Sequence, residues 1–155
     1  MTRPPFQRFL DEHREVVWRF LVASVGREAA DDCFQETFMA ALRAYPRMRP
    51  DNPRAWVLTI ANRKALDHHR ARRRRAVPVG DALPEPVAPA DPEPRDDGVW
   101  ARVLGLPPKQ RAAVLLRFAG DLSHRDIAKA LGCSEEAARR STFEGLRKLR
   151  LEMSA

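Results

Sequence analysis

Apolar residues recur at three- and four-residue intervals through the first half of the chain, as they do in amphipathic helices that pack on one side. Two such stripes consist of Phe6, Phe9, Leu10, His13, Val16, Val17, Phe20 and Leu21, and of Ala30, Cys33, Phe34, Thr37, Phe38, Ala41 and Leu42. A third helix begins with Asn52 as its N-cap and Pro53 in its first turn. We assign Trp56 on this helix to the core rather than to a base-stacking platform. The first half therefore predicts a bundle of about three helices.

The second half predicts a helix-turn-helix unit. One helix ends at Gly120, and Ser123 with Asp126 three residues later forms a capping box at the start of the next. Gly132 makes the following turn, and Ser134 caps the last helix. The helical period buries Ala138, Thr142, Leu146 and Leu149 on that helix, and it turns Arg139, Arg140, Phe143 and Arg147 outward.

A proline-rich stretch separates the two halves. Residues 76–97 hold six of the thirteen prolines, alternating with small and acidic residues, a composition that favours extended polyproline segments over a packed core. The predicted fold is therefore all-α, with two small domains joined by an acidic linker. The expected boundaries are 1–75 for the first helical domain, 76–97 for the linker and 98–155 for the helix-turn-helix domain.

Charge follows this division. The three segments carry net charges of +7, −5 and +5, and the whole chain of 155 residues carries +7. Basic surfaces attract polyanions, so nucleic acid is the first partner to consider. The densest basic run, residues 62–75, has seven Arg and Lys residues against Asp67 alone, which exceeds what the end of a helix dipole needs. Arginine forks match phosphate geometry, and we interpret this run as a phosphate-binding tail.

Other classes of protein receive little support. No run of about 18 apolar residues is present and the N-terminus becomes charged early, so we expect a cytoplasmic location without membrane insertion. Cys33 and Cys133 lack metal-ligand spacing and are expected to be reduced thiols. Adjacent His68 and His69 point in different directions on a helix, so no metal, cofactor or catalytic site is predicted there.

Longer motifs carry a resemblance to a known family. The segments are ADDCFQETFMAALRAY, NPRAWVLTIANRKALDHHRARRRR and LPPKQRAAVLLRFAGDLSHRDIAKALGCS. The first two resemble the second conserved region of bacterial sigma factors, and the third resembles the fourth region. The size and the linker are similar to those of the extracytoplasmic-function group, which has only these two domains. The resemblance implies an alternative sigma factor that binds RNA polymerase core, recognises −10 and −35 promoter elements and supports promoter melting.

The resemblance also implies roles for residues of the first domain. Asp32, Gln35 and Glu36 would dock on the clamp helices of the largest polymerase subunit, with Phe38 inside. The residues implied at the −10 element are Asn62, Arg63, Lys64, Arg70 and Arg72. The loop from Pro46 to Asp51 corresponds to the segment that captures an extruded base. None of these roles requires catalysis by the chain.

The second domain would read the −35 element through its last helix. The residues implied there are Arg139, Arg140, Phe143 and Arg147. This chain departs from the common pattern at Glu136 and Glu144, since glutamate repels phosphate. Promoter DNA, polymerase core including its flap region, and an anti-sigma protein are the candidate partners.

Two other functions are compatible with parts of the sequence. An autonomous helix-turn-helix regulator would bind duplex DNA without polymerase, but it would not need the acidic face formed by Gln35 and Glu36. An enzyme centred on Asp67, His68 and His69 would need partner residues that the sequence does not show.

Overall fold

The computed structural model describes residues 4–48, 51–76 and 99–154. Within these ranges the backbone is helical and contains no strand, which confirms the all-α prediction. The elements are α1 (Phe6–Val25), α2 (Arg27–Ala44), a short 3-10 helix (Tyr45–Arg47), α3 (Pro53–Ala76), α4 (Val99–Leu104), α5 (Pro108–Phe118), α6 (His124–Leu131) and α7 (Glu135–Ser154). Residues 77–98, which include nearly all of the predicted linker, lie outside the described residues.

Helices α1, α2 and α3 form the first unit, and each packs against the other two. Gly26 alone separates α1 from α2, and its φ of 85° reverses the chain in a conformation that suits glycine. The predicted stripes form the core, where Val17, Phe20 and Leu21 are fully buried. Leu42 is the exception: we placed it in the stripe, but its side chain is 54% exposed, because it lies past the edge of the α2 face that meets α1 and α3.

An aromatic cluster joins α1, the 3-10 helix and α3. Phe9 is in ring contact with Phe6, Tyr45 and Trp56, and the Tyr45 hydroxyl donates a hydrogen bond to the Pro4 carbonyl. The Trp56 ring lies edge-on to Phe9 with 5.6 Å between the centroids. Trp56 is half-buried and packs against the core, in line with the prediction.

Helices α4 to α7 form the second unit, and its caps follow the sequence. The Ser123 hydroxyl accepts from the Asp126 amide at 3.1 Å, and the Ser134 hydroxyl accepts from the Ala137 amide at 3.0 Å. Gly132 makes the turn between α6 and α7 with a φ of 68°. The Asp126 carboxylate departs from the predicted capping box, since it accepts from the Ser123 hydroxyl and from the first unit rather than closing the box.

Helix α7 packs closely on α5. Ala138, Thr142 and Leu149 are buried as predicted, whereas Leu146 is half-buried. The close approach depends on Gly145, because a Cβ atom there would lie 2.7 Å from Val114 Cγ2 and 3.3 Å from the Gln110 carbonyl oxygen. A glycine inside a helix is less favourable than alanine by about 1 kcal/mol. The lack of space for a Cβ atom explains why glycine occupies position 145.

The two units also pack against each other. Helix α1 contacts α4 and α5, and α3 contacts α6. Nothing in the sequence predicted this contact, which joins residues more than 70 positions apart, such as Asn52 and Asp126.

We expect Gly145→Ala to destabilise the chain by about 1–3 kcal/mol, despite the higher helix propensity of alanine, because the added methyl group overpacks against Val114. Urea unfolding of the single variants and of the double variant with Val114→Ala measures this. The cost of Gly145→Ala should be smaller in the Val114→Ala background. Equal costs in both backgrounds would contradict the proposed clash.

Candidate polymerase and nucleic-acid interfaces

The outer face of α2 combines polar and apolar side chains. Asp32, Gln35 and Glu36 are exposed, as the docking prediction requires, while Phe38 is 5% exposed and packs inside. The sequence reasoning missed Met39, which is 55% exposed and completes the same stripe at i+7 from Asp32. Leu42 continues it. We name these exposed residues the α2 docking face, after the predicted role: Asp32, Gln35, Glu36, Met39 and Leu42. Acidic and amide groups lie beside exposed apolar side chains on it.

The buried side of α2 carries the thiol of Cys33, which is shielded from solvent and therefore unreactive. Cys33 is 4% exposed, and its Sγ lies 4.0 Å from the Lys64 carbonyl oxygen. Burial, followed by the charges of Glu36 and Asp32, raises the pKa of this thiol. Cys133 is exposed in the turn before α7, and both cysteines are free, as predicted.

Helix α3 carries the predicted −10 residues, most of them on its surface. Arg63, Arg70 and Arg72 are exposed and Lys64 is half-buried. Arg70 is 4.0 Å from Asp67, in a pair that is about two-thirds exposed on each side and therefore weak. The side chains of residues 73–75 extend the basic surface to the end of the helix.

Asn62 does not lie on that surface. It is 3% exposed, so in this structure it does not present its amide to DNA as the resemblance implied. The helical period places it between Leu58, which is close to Gly120, and Leu66, which lines a cleft with α6. Asn62 therefore lies on the stripe of α3 that also carries Leu58 and Leu66, both of which are close to the second unit.

Two polar residues at the start of α3 also contact the second unit, which the sequence did not predict. The Asn52 side-chain oxygen caps α3 by accepting from the Ala55 amide at 3.1 Å, as predicted. Its amide group donates to the Asp126 carboxylate at 2.8 Å. Arg54 donates to the Asp121 carbonyl at 3.2 Å and lies 3.8 Å from the Asp121 carboxylate. The sequence predicts Asn52 as the cap of α3, but it does not predict the hydrogen bond of Asn52 to Asp126.

His69 lies between the units in a strongly basic environment. Its Nε2 donates to the Ser24 carbonyl at 2.9 Å, which fixes the neutral ring in one tautomer. Burial and then the Arg111 guanidinium lower the pKa of His69 to about 4, and the hydrogen bond to Ser24 only partly opposes this. Burial and then Arg72 also lower the pKa of His68. Among the described residues, no group of three or more His, Cys, Asp or Glu side chains could hold a metal ion.

The outward face of α7 holds all four predicted −35 residues. Arg139, Arg140, Phe143 and Arg147 are exposed, and the Phe143 side chain is 64% exposed although it is aromatic. Arg139 donates to Glu135 one turn earlier at 2.7 Å. A base or phosphate must therefore compete with Glu135 for this guanidinium.

The predicted base-capturing loop is only partly described. Residues 49 and 50 lie outside the described ranges, Met48 is 3% exposed, and Asp51 is exposed just before the α3 cap. No helix in the described part of the chain is long and apolar enough to cross a membrane.

We expect the stability of the chain to fall as pH drops from 6.5 towards 4, because unfolded His69 takes up a proton that the folded ring resists. His69→Gln should reduce the change in urea midpoint between pH 7 and pH 5. His124→Gln is the matched control: burial also lowers the pKa of His124, but less than that of His69, so this variant should reduce the change by a smaller amount. Parallel pH profiles for wild type and His69→Gln would contradict this assignment.

Comparison with known proteins identifies the family of the chain. The family model described as Sigma-70 region 2 matches residues 9–75, and the one described as Sigma-70, region 4 matches residues 98–149. The ECF RNA polymerase sigma factor SigC of Mycobacterium tuberculosis is 34% identical over 132 residues, covering 82% of this chain and 71% of that protein. ShbA of Streptomyces griseus, another ECF RNA polymerase sigma factor, is 36% identical over 138 residues, covering 80% and 71%.

A solved structure shows the same fold across both units. It is the sigma factor RpoE of Bartonella quintana in complex with the anti-sigma factor NepR, and it matches with a TM-score of 0.78 at 20% identity, covering 97% of each chain. Two sigma-70 regions in the expected order, together with relatives above 30% identity, define the family. The chain belongs to the sigma-70 family as an alternative sigma factor of the extracytoplasmic-function group, a subunit that brings RNA polymerase core to promoter DNA for transcription initiation.

Proposed function

We propose that three separate faces of the chain divide the work of a sigma factor. The α2 docking face binds the clamp helices of core polymerase, the α3 face binds the melted −10 strand, and the outward face of α7 reads the −35 element. The observation that carries the proposal is that one helical unit exposes two chemically different surfaces, an acidic and apolar stripe on α2 and a basic surface on α3. The first suits a basic protein surface, and the second suits DNA.

The docking face favours this function over an autonomous regulator. Met39 and Leu42 are each more than half exposed and lie beside Gln35 and Glu36. Exposed apolar residues with a polar rim are typical of a protein-binding surface. A regulator that binds duplex DNA alone would have no use for this surface.

Promoter opening by this chain would use binding energy rather than chemistry. Removing a base from the stack costs a few kcal/mol, and contacts of a basic groove with the released strand offset that cost. Arg63, Lys64, Arg70 and Arg72 supply the cations. Sigma factors as a family are not enzymes, and we propose the same for this chain, with no catalytic role for Asp67, His68 or His69.

Two further proposals concern setting and regulation. The chain would act in the cytoplasm, with core polymerase. An anti-sigma protein is a candidate partner, because two structures with the same fold are complexes of this kind: RpoE with NepR, and CnrH with the cytosolic domain of CnrY.

We expect Gln35→Ala with Glu36→Lys to weaken binding to mycobacterial core polymerase on the order of tenfold, because the change places a cation against a basic surface. Circular dichroism should remain that of wild type, since both residues are exposed. Glu15→Lys, the same charge reversal on exposed α1, is the control and should bind normally. Unchanged affinity of the double variant, with intact helices, would refute the docking assignment.

We expect Arg139→Ala to relax sequence preference at the −35 element by about 1 kcal/mol, near the low end for an arginine contact because Glu135 competes for the side chain. Opening of premelted templates should be nearly unaffected. Arg63→Ala with Arg70→Ala should do the reverse. Footprinting and permanganate reactivity on promoters selected by the holoenzyme from a random library measure both effects.

Lys148→Ala is the control for this pair of experiments, because Lys148 is exposed on α7 but lies off the reading face. It should change neither readout. The same defect from the α7 variant and the α3 variant would mean that the two helices do not divide recognition between them.

A further inference from the structure

A cleft of about 340 Å³ lies between α3 and α6, where the two helical units are in contact. We propose that this cleft is a binding site for a nucleoside polyphosphate. The volume of the cleft lies at the lower end of the range for small-molecule sites in proteins. The proposal goes beyond the sigma-factor function, because it gives the free chain a ligand that is neither polymerase nor DNA.

Cations from both units line the cleft. Arg63 and Arg70 belong to α3, and Lys129 belongs to the last turn of α6. All three side chains are exposed, and within the described part of the chain neither Arg63 nor Lys129 has an ion-pair partner. A guanidinium group matches phosphate oxygens with a fork of donors, and a lysine adds a point charge on a flexible stem. Adjacent phosphate groups in the cleft would therefore receive charge-assisted contacts from both units.

One carboxylate opposes these cations. Asp67 also lines the cleft, and its Oδ1 atom lies 4.0 Å from Nη1 of Arg70. Both side chains of this pair are about two-thirds exposed, so water screens the attraction and the pair is weak. A phosphate group can therefore displace Asp67 from Arg70. The three cations and one carboxylate leave the lining with a net positive charge, which favours an anion.

The rest of the lining is apolar side chain or backbone. Leu66 of α3 and Leu131 of α6 are half-buried, and Ala130 and Gly132 complete this wall. The last carbonyl groups of a helix have no intrahelical partner, so the end of α6 at Leu131 leaves hydrogen-bond acceptors beside the wall. Apolar surface next to free acceptors suits a nucleoside, because its base is flat and its ribose hydroxyls donate. The cations and the wall thus match the two halves of one nucleotide.

A small ligand fits this lining better than a continuous DNA strand. A strand carries a phosphate on every nucleotide, so some phosphates would lie beside the carbonyl end of α6, where the helix dipole is negative. A nucleotide can keep its phosphates at the cations and place its base against Leu66 and Leu131. Because Arg63 and Arg70 also belong to the proposed −10 surface, a bound nucleotide would compete there with a melted strand. This consequence rests on the proposed function, whereas the site itself does not.

Calorimetric titration of the full free chain, without polymerase or DNA, tests the site. The probes are ATP, GTP and inorganic triphosphate at low ionic strength, where charge contacts are least screened. We expect saturable binding of a single nucleotide per chain. ATP or GTP should bind at least about fivefold more tightly than inorganic triphosphate, because only the nucleotide buries apolar surface against the wall. Adenosine and guanosine, which lack phosphates, should bind at least about tenfold more weakly than the nucleotides.

Two single substitutions should move the affinity in opposite directions. Lys129→Gln removes one cation and should weaken nucleotide binding about fivefold. Asp67→Asn removes the competitor for Arg70 and should strengthen binding by about twofold to fivefold. Lys148→Gln on α7 and Asp31→Asn on α2 are the matched controls, because both residues are exposed and neither lines the cleft. All four substituted residues are exposed, so circular dichroism should remain that of wild type.

Stability provides a second measurement. A ligand that binds only the folded chain stabilises it, so nucleotide at roughly a hundredfold excess over its Kd should raise the urea midpoint of the wild type. At the same nucleotide concentration the midpoint of Lys129→Gln should rise less. No rise in the wild type would show that the nucleotide is not held by the folded site.

The titrations can overturn the proposal in three ways. The wild-type chain shows no saturable nucleotide binding, or inorganic triphosphate binds as tightly as ATP and GTP. In the third case Lys129→Gln and Lys148→Gln lose the same affinity, which would indicate attraction to the basic chain as a whole. None of these results bears on the proposed function, which is measured with polymerase and promoter DNA.

Discussion

The hydrogen bond between Asn52 and Asp126 joins the starts of α3 and α6, and it ties the two units together at their polar end. Each residue also belongs to the cap of its own helix, so the relative position of α3 and α6 is tied to local backbone geometry. A buried or half-buried polar pair is costly to break without replacement partners. Helix α3 is consequently packed by its own unit on one side and by the second unit on another.

Charge limits how tightly the units can close. Helix α3 brings a dense row of arginines towards α5 and α6, where Arg111 and Lys129 are also basic. Burial and then Arg111 lower the pKa of His69, so the neutral ring contributes a hydrogen bond to Ser24 without adding another cation. Polar contacts of Asn52 and Arg54 join the units at one end of the interface, and a cleft lined by Arg63, Arg70 and Lys129 lies at the other end.

The chain exposes three chemically different surfaces. The α2 docking face carries acidic, amide and apolar groups, α3 carries a row of cations, and the outward face of α7 carries arginines and Phe143. A sigma factor binds both RNA polymerase core and promoter DNA, and these are the surfaces that we propose for those partners.

The sequence by itself determined the features that depend on near neighbours. Helical stripes, the caps at Asn52, Ser123 and Ser134, and the outward arginines of α7 follow from spacing within a few residues, and all of them appear in the structure. The tertiary structure alone decided that Asn62 is buried and Leu42 exposed. Both outcomes depend on which surface of another helix covers the residue, and the periodicity of one helix contains no information about the position of its neighbours.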